Sequence, residues 1–117
     1  MHTGASYELQ QCHRKTILFI ESHLTASFTV EDAAREAGYS YYHLNRQFSA
    51  VLGESVGSYI KKRRLSHAAR ELIYTERRII DIALDHGFES SEAFSRAFKA
   101  VYHTSPAGYR KTGWMSS

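Results

Sequence analysis

Apolar residues recur at helical spacing along almost the whole chain. Ile17, Ile20 and Leu24 stand at i, i+3 and i+7, which places them on one face of a helix that we predict over about Tyr7–Leu24. The later apolar stripes are Tyr41, Leu44, Phe48 and Val51; then Tyr59, Leu65, Ala68, Ala69, Leu72 and Ile73; then Phe94, Phe98 and Val101. No segment alternates apolar and polar residues over a strand's length, so the pattern predicts an all-α fold of about seven helices.

Capping and turn residues set the predicted helix boundaries. Thr29 followed by Asp32 has the form of a capping box, and it predicts a short helix to about Ala37 with Gly38 as its stop. The other boundary signals are Ser40, Gly53, Ser55, Tyr74, Gly87, Ser91 and Ser105-Pro106. Proline suits the first helical position, because it lacks only a donor that would be unpaired anyway.

The chain contains an internal repeat. A shift of 49 residues aligns Asp32 with Asp81, Ala34 with Ala83 and Gly38 with Gly87; past that turn the shift becomes 50, as though one residue had been added. The shift of 50 then aligns Ser40 with Ser90, Arg46 with Arg96, Phe48 with Phe98, Ser55 with Ser105 and Tyr59 with Tyr109. Chance similarity between amphipathic helices would match the apolar stripe but not the caps and turns, so we interpret the repeat as real.

Each repeat reads as a short helix, a glycine-containing turn and a second helix, which is the arrangement of a helix-turn-helix. One such pair is a weak signal, since helix pairs mostly serve packing. Two in tandem, joined by a long helix that carries basic residues, are more specific. We divide the chain into residues 1–54, an N-terminal helix with the first helix-turn-helix; 55–75, a central linker helix; and 76–117, the second helix-turn-helix with a C-terminal helix.

Composition and charge narrow the class of protein. The 117 residues suffice for one domain or two very small ones, and 43% hydrophobic with 23% charged residues is ordinary for a globular protein. Residues 1–59 hold four basic and six acidic residues, a net charge of −2, whereas residues 60–117 hold eleven and six, a net charge of +5. A basic region attracts polyanions, so nucleic acid is a candidate partner, with a solvated basic surface as the alternative.

Nothing in the sequence directs the chain to a membrane or to secretion. The longest apolar runs, such as Ile17–Ile20, are too short to cross a bilayer, and the N-terminus lacks the features of a signal peptide. The single cysteine, Cys12, forms no internal disulfide. These features predict a protein of the reducing cytoplasm with no membrane partner.

Four motifs resemble the AraC/XylS family of bacterial transcription regulators, and most of all its compact MarA/SoxS/Rob-like members. They are AGYSYYHLNRQF, GESVGSYIKKRRLSHAARELI, IIDIALDHGFESSEAFSRAFK and TSPAGYRK, and the resemblance spans about Leu18 to Lys111. It implies two helix-turn-helix subdomains and a monomer that places two recognition helices in successive major grooves, ~34 Å apart on one face of the DNA. It also implies an activator that recruits RNA polymerase at the bacterial nucleoid and needs no cofactor.

In the first recognition helix, the open side is predicted to hold Tyr42, Asn45, Arg46 and Ser49, with Leu44, Phe48 and Val51 buried. Arginine binds guanine O6 and N7 with two hydrogen bonds, and asparagine makes the corresponding pair with adenine. Tyr42 is expected at a thymine methyl or a phosphate. The compact members tend to have Trp and Gln at the positions of Tyr42 and Asn45.

In the second recognition helix, Ser91, Glu92, Ser95, Arg96 and Lys99 are predicted to face outward. Glu92 stands where the compact members usually have Gln. A carboxylate is repelled by phosphates unless it accepts a hydrogen bond from cytosine N4 or pairs with an arginine such as Arg96. We hypothesise that Glu92 reads cytosine or rejects other sequences.

Phosphate contacts are predicted at helix starts and at basic residues. The base-contact candidates are Tyr42, Asn45, Arg46, Ser91, Glu92, Ser95 and Arg96; the phosphate-contact candidates are Ser40, Ser49, Lys61, Lys62, Arg78, Lys99 and Ser105. The run Lys61 to Arg64 winds around more than half a helical turn, so not all four side chains face DNA. Arg78 stands where the family often has Pro, and His103 where it often has Gly, so the turn at His103 is expected to differ.

Other classes of function have less support. The histidines His13, His23, His43, His67, His86 and His103 show no metal-ligand spacing, so no metal site is predicted, and no catalytic motif indicates an enzyme. A helical protein-interaction module would leave Arg46 and Arg96 unexplained. The chain is alternatively the DNA-binding part of a longer, effector-responsive regulator; if it is complete, its cellular amount is the expected means of regulation.

Overall fold

The structure is a computed structural model that describes residues 14–116, with side chains as far as residue 114. All regular structure in these residues is helical, which confirms the predicted all-α fold. Helix α1 occupies residues 14–22, and it is followed by α2 (Val30–Ala37), α3 (Tyr41–Leu52), α4 (Val56–Tyr74), α5 (Ile79–Asp85), α6 (Ser91–Tyr102) and α7 (Pro106–Ser116). The predicted helix start at Tyr7, together with Cys12 and His13, lies outside the described residues.

The chain divides into two compact units, the first ending at Lys62 and the second beginning at Arg63. Each unit has its own apolar core. The core of the first unit is Ile20, Leu24, Ala33, Ala34, Leu44, Phe48, Val56 and Ile60; that of the second is Leu65, Ala68, Ala69, Leu72, Ile82, Ala83, Phe94 and Phe98. Because the division falls inside α4, this helix supplies side chains to both cores. The separate linker segment 55–75 stays a prediction.

Helix α2 begins at the predicted capping box. The Asp32 N–H donates to Thr29 Oγ1 at 3.1 Å, and the Thr29 N–H donates to the Asp32 carboxylate at 2.9 Å. The hydrogen bond from the Thr29 backbone, followed by that from Arg35, lowers the pKa of Asp32. The helix ends at Gly38, whose φ of 84° lies in the left-handed region that glycine adopts most readily.

The internal repeat is present in the backbone as well as in the sequence. Matched backbone hydrogen bonds close the corresponding turns of the two units. At the end of the first helix, the bond from Tyr39 N to Ala34 O (2.9 Å) matches that from Phe88 N to Ala83 O (3.0 Å). At the start of the second helix, the bond from Leu44 N to Ser40 O (2.9 Å) matches that from Phe94 N to Ser90 O (3.1 Å). The added residue is Glu89, since the first turn runs from Gly38 to Ser40 and the second from Gly87 to Ser90. One backbone plan is therefore used twice.

Helix α7 holds the carboxyl end of α4. The Arg110 guanidinium donates to the carbonyl oxygens of Leu72 at 2.8 Å and Thr75 at 3.1 Å, and the Trp114 indole N–H donates to Ile73 O at 2.8 Å. The last carbonyls of a helix have no partner within the helix. These side chains therefore satisfy acceptors that the end of α4 leaves open.

Three residues of the predicted apolar stripes are exposed. Tyr41, Val51 and Val101 are 41%, 49% and 50% exposed, whereas Leu44 and Phe48 are almost fully buried. All three lie in the first or last turn of their helices. Helical periodicity gives the face on which a residue lies, but it does not show where the neighbouring helices stop covering that face.

The expectation of a different turn at His103 was wrong. His103 has a φ of 62°, and its N–H donates to Lys99 O at 2.9 Å. The matched Gly53 has a φ of 75°, and its N–H donates to Ser49 O at 2.8 Å. A residue with a Cβ adopts the left-handed conformation at a cost of roughly 1 kcal/mol, so His103 makes the glycine turn under strain.

No helix in the described part of the chain is long and apolar enough to span a membrane.

Candidate nucleic-acid interface

Helix α3 exposes an arginine opposite its buried face. Arg46 lies two residues after Leu44 and two before Phe48, about 200° around the helix from each. Both apolar side chains are buried, so Arg46 points into solvent, and it has no ion-pair partner among the residues that the structure describes. Tyr42, one turn earlier, is 83% exposed, and Ser49, one turn later, is also exposed. These three of the four residues predicted for the open side are exposed, whereas the fourth, Asn45, is half-buried.

Asn45 has a structural role that the sequence analysis did not anticipate. Its Oδ1 accepts a hydrogen bond from the N–H of Val56 at 3.1 Å and so caps the start of α4. Val56 is fully buried, so its N–H has little access to water. Bidentate pairing with adenine uses the same oxygen as an acceptor. The base contact of Asn45 stays a prediction, and this hydrogen bond competes with it.

Helix α6 repeats the arrangement of α3. Phe94 and Phe98 are fully buried, and Arg96 lies between them on the exposed side. Glu92, one turn before Arg96, and Lys99, one turn after it, are exposed as well. The side chains of Glu92 and Arg96, both within the described residues, form no ion pair with each other. The pairing with Arg96 that would offset the repulsion of Glu92 from phosphates is thus absent among the described residues, and the reading of cytosine and the rejection of other sequences both stay predictions.

The two remaining α6 candidates, Ser91 and Ser95, are half-buried. Ser90, directly before Ser91, caps the helix, because its hydroxyl accepts the N–H of Ala93 at 3.0 Å. Ser95 occupies the position that matches Asn45 in the repeat, and Pro106 the position that matches Val56. Since proline has no N–H, the start of α7 needs no acceptor at that point.

The serines predicted to bind phosphate differ in what their hydroxyls already do. Ser40 accepts the N–H of His43 at 3.2 Å, and Ser105 accepts the N–H of Gly108 at 3.0 Å. An accepted hydrogen bond leaves the O–H proton to donate to a phosphate oxygen. Ser49 instead donates to the carbonyl of Glu54 at 3.3 Å. A phosphate contact from Ser49 would have to replace this hydrogen bond.

The basic run on α4 begins with two exposed lysines. Lys61 is exposed, and Lys62 pairs with Glu54 at 3.2 Å while remaining 65% exposed. Hydrogen bonds from Ser58 and then from Lys62 lower the pKa of Glu54, so this acid stays ionised beside the lysine. Such an exposed pair is worth little, and a phosphate can compete for the Lys62 ammonium.

The two arginines of the same run are turned inward. Arg63 and Arg64 are half-buried, and burial lowers the pKa of Arg64. A Cβ at Gly87 would lie 2.8 Å from Nη1 of Arg64, so this guanidinium packs against the turn between α5 and α6. Two of the four basic side chains from Lys61 to Arg64 are therefore exposed and two are half-buried, which agrees with the expectation that not all four face outward. The packing of Arg64 had no signal in the sequence.

Arg78 is exposed at the start of α5. Its backbone is extended, as at the other helix starts, but its side chain caps nothing. The matched residue of the first unit is Thr29, which does cap its helix. The start of α5 thus lacks the side-chain cap that Thr29 gives α2.

Comparison with known proteins agrees with this geometry. A family model described as a helix-turn-helix domain matches residues 33–112. The uncharacterised HTH-type transcriptional regulator YbfP of Bacillus subtilis is 50% identical over 97 residues, covering 83% of this chain and 33% of that protein. The HTH-type transcriptional activator AarP of Providencia stuartii is 40% identical over 94 residues, covering 80% of this chain and 70% of that protein.

A solved structure shows the same fold in contact with DNA. It is the DNA-binding domain of AdpA, a global transcriptional factor, in complex with a target DNA. It is 26% identical, has a TM-score of 0.79, and the match covers 85% of this chain and 89% of that one.

The chain belongs to the helix-turn-helix family of AraC-type transcription regulators. It spans about a third of the length of YbfP and of other curated relatives that it matches.

Proposed function

We propose that this protein binds double-stranded DNA in a sequence-specific manner and regulates transcription as an activator. The observation that carries the proposal is the matched pair Arg46 and Arg96. Each lies on the exposed side of the second helix of a helix-turn-helix, between two buried residues that fix its direction. In this motif the second helix is the one that enters the major groove.

The side chains around each arginine supply the chemistry for reading bases. Arg46 and Arg96 suit the O6 and N7 of guanine, and exposed Tyr42 suits a thymine methyl or a phosphate. Glu92 stands at the position of Tyr42 in the repeat, is exposed, and pairs with no arginine among residues 14–114, which supports a contact with cytosine N4. Because position 42 is aromatic and position 92 acidic, the two half-sites are expected to differ in sequence.

Contacts with phosphates would fix the orientation of the protein. Ser40 and Ser105 each lie at a helix start and keep an O–H to donate, and the neighbouring backbone N–H groups favour an anion. Lys61, Lys62 and Lys99 add exposed positive charge. Such contacts set affinity and its dependence on salt, while base contacts set specificity.

The wider role follows from the family. The names of AarP and related regulators support activation of transcription, which for this chain implies contact with RNA polymerase in the bacterial cytoplasm, at the nucleoid. Two recognition helices in one chain support a monomer that occupies successive major grooves.

A second candidate function is that of the DNA-binding part of a longer regulator that responds to an effector. The coverage of YbfP, 33% of its length, favours this alternative, whereas the 70% coverage of AarP favours a compact regulator. Both candidates use the same interface. They are distinguished by whether expression of this chain alone activates a promoter that carries its selected site.

The proposal is tested by measuring affinity for a DNA site selected from a random pool, over a series of salt concentrations. We expect affinity to fall steeply with salt, and the double substitution of Arg46 and Arg96 by alanine to abolish the preference for the selected site over random DNA. Arg35→Ala is the matched control, because it removes an exposed arginine from α2 and should leave that preference intact. Equal binding of selected and random DNA by the unaltered protein would sink the proposal and favour an interaction module.

A further inference from the structure

Two histidines that are far apart in the sequence meet in the second unit. His67 lies in α4 and His86 at the end of α5, and the distance from His67 Nδ1 to His86 Nε2 is 2.8 Å. His86 is almost fully buried, whereas the side chain of His67 is 39% exposed. No motif joins the two residues, which explains why spacing alone did not reveal them.

The proton positions at this pair follow from its neighbours. Nδ1 of His86 lies 2.7 Å from the carbonyl oxygen of Ile82, which only accepts, so Nδ1 carries the proton. In the neutral ring with its proton on Nδ1, Nε2 carries the lone pair; burial, which lowers the pKa of His86, favours that ring. In this state His67 donates to it from Nδ1. A histidine held to a backbone carbonyl through one nitrogen, with the other nitrogen unprotonated, is the arrangement found in metal-binding histidines.

A carboxylate completes the cluster. Glu71 follows His67 by one helical turn, and its Oε2 lies 3.6 Å from His67 Nδ1 and 3.9 Å from His86 Nε2. Its other oxygen, Oε1, accepts a hydrogen bond from Arg77 Nη1 at 2.8 Å, and Arg77 also pairs with Asp85. Arg77 thus orients the carboxylate, so that Oε2 faces the two imidazoles.

We propose that His67, Glu71 and His86 bind one divalent transition-metal ion of the zinc type. Two imidazole nitrogens and one carboxylate oxygen form a ligand set that zinc accepts with a fourth position left to water. All three ligand atoms lie within 4.8 Å of one another. The site is distinct from the DNA-reading faces of α3 and α6 and does not depend on the proposed function.

The geometry needs only a small adjustment to hold the ion. Two nitrogens bound to zinc at about 2.0–2.1 Å in a tetrahedron lie roughly 3.3 Å apart, about half an ångström more than the two histidines show. His67 supplies this shift, since it is the exposed partner, and its Nδ1 proton moves to Nε2 when the ion takes its place. An open surface groove lined by His67, Glu71 and Tyr74, among others, gives the ion access from solvent.

Binding has a consequence for stability that a hydrogen-bonded pair alone lacks. The ion would join the middle of α4 to the end of α5, and a ligand that binds only the folded chain raises its unfolding temperature as the ligand concentration rises. If the cluster binds no ion, it is a hydrogen-bond network whose contribution to stability does not depend on the metal concentration.

The test titrates Zn²⁺ into the chelator-treated full chain by calorimetry, and follows Co²⁺ binding by its visible absorption. We expect one equivalent of saturable binding, a Co²⁺ spectrum of low coordination number, and an unfolding temperature raised by Zn²⁺. His67→Ala should weaken binding by at least ~10-fold and remove the thermal shift. Because His67 is partly exposed, this variant is expected to fold, whereas a change at His86 opens a buried position. Glu71→Gln provides a second variant with the same expected direction.

Two control variants distinguish this site from other histidines and the cysteine, which could also bind the metal. His43→Ala removes an exposed histidine of the first unit and should leave binding unchanged. A variant with His2, Cys12 and His13 replaced by alanine should also keep one equivalent. Loss of binding in that variant, unchanged binding in His67→Ala, or no saturable binding at all would each overturn the proposal and leave the cluster as a hydrogen-bond network.

Discussion

The helix that follows each recognition helix starts with different chemistry in the two units. In the first unit, Asn45 accepts the N–H of buried Val56 at 3.1 Å. In the second unit the matched residues are Ser95 and Pro106, and proline has no N–H that needs an acceptor. The backbone plan is the same, but the first unit uses a residue of its recognition helix to hold the fold, and the second does not.

This difference bears on which side chains are available to DNA. Within the part of the chain that the structure describes, the Ser95 hydroxyl makes no hydrogen bond and is available to a base or phosphate, whereas Asn45 Oδ1 already accepts the N–H of Val56. Under the proposed function, base contacts in the first unit would fall mainly to Tyr42 and Arg46, and in the second they would extend from Glu92 to Arg96. Two units of one scaffold therefore present unlike surfaces.

The largest expected effect concerns the matched arginines. Arg46→Ala and Arg96→Ala should each cost about 1–3 kcal/mol of binding free energy at the selected site, because each loses a bidentate contact with guanine. Each variant should relax specificity in one half of the site only, which binding to site libraries measures. Relaxed specificity in the same half for both variants would contradict the assignment of one reading helix to each unit.

The next effect tests the asymmetric cap. Asn45→Ala should lower the free energy of unfolding by about 1–2 kcal/mol, because it leaves the N–H of Val56 without an acceptor. Ser95→Ala, the matched control, should change it by less than about 0.5 kcal/mol. Denaturant unfolding gives both values, and hydrogen exchange should place the loss for Asn45→Ala at the start of α4. Equal losses for the two variants would remove the distinction between the units.

A smaller effect is expected where the units differ in strain. His103 and Gly53 occupy the same left-handed position, so His103→Gly should stabilise the protein by about 1 kcal/mol and Gly53→His should destabilise it by a similar amount. Denaturant unfolding followed by circular dichroism measures both changes, and the fluorescence of Trp114, the single tryptophan, reports the second unit, which contains His103. A destabilised His103→Gly variant would show that the imidazole makes a compensating contact.

The smallest effect concerns the first helix of each helix-turn-helix. Thr29 caps α2, but the matched Arg78 caps nothing, so Arg78→Thr should stabilise α5 by about 0.5–1 kcal/mol in thermal unfolding.

The lowered pKa of Asp32 makes the stability of the capping box depend on pH. The contribution of the Asp32 carboxylate to stability is present above the unfolded pKa of about 3.9 and is lost as the pH falls through the lower folded pKa. The difference in stability between the unaltered protein and Asp32→Asn should therefore shrink in acid. A difference that stays constant down to pH 2 would contradict the capping contribution of the Asp32 carboxylate.

The sequence predicted those features that depend on neighbouring residues. The capping box of Thr29, the left-handed turn at Gly38 and the start of α7 at Pro106 follow from local chemistry, and all three are present. The exposure of Val51 and Val101 was not predicted, because it depends on where other helices end.

Contacts between distant residues were missed for a related reason. Asn45 and Val56 are 11 residues apart, and His67 and His86 are 19 apart, so neither pair leaves a periodic signal. For Asn45 and Val56, a comparison of the two repeats indicates the contact. The second repeat has Ser95 in place of Asn45 and also Pro106, which has no N–H, in place of Val56. The exposure of Arg46 and Arg96 was predictable, because the buried residues on the opposite side of each helix fix the direction of these side chains.

The central claim is that one scaffold carries two different reading surfaces, and selection of bound sequences from a random DNA pool tests it most directly. We predict a site with two unlike half-elements about one helical turn apart, each sensitive to one of the two arginines. A palindromic site, in which both halves have the same sequence, would contradict the claim.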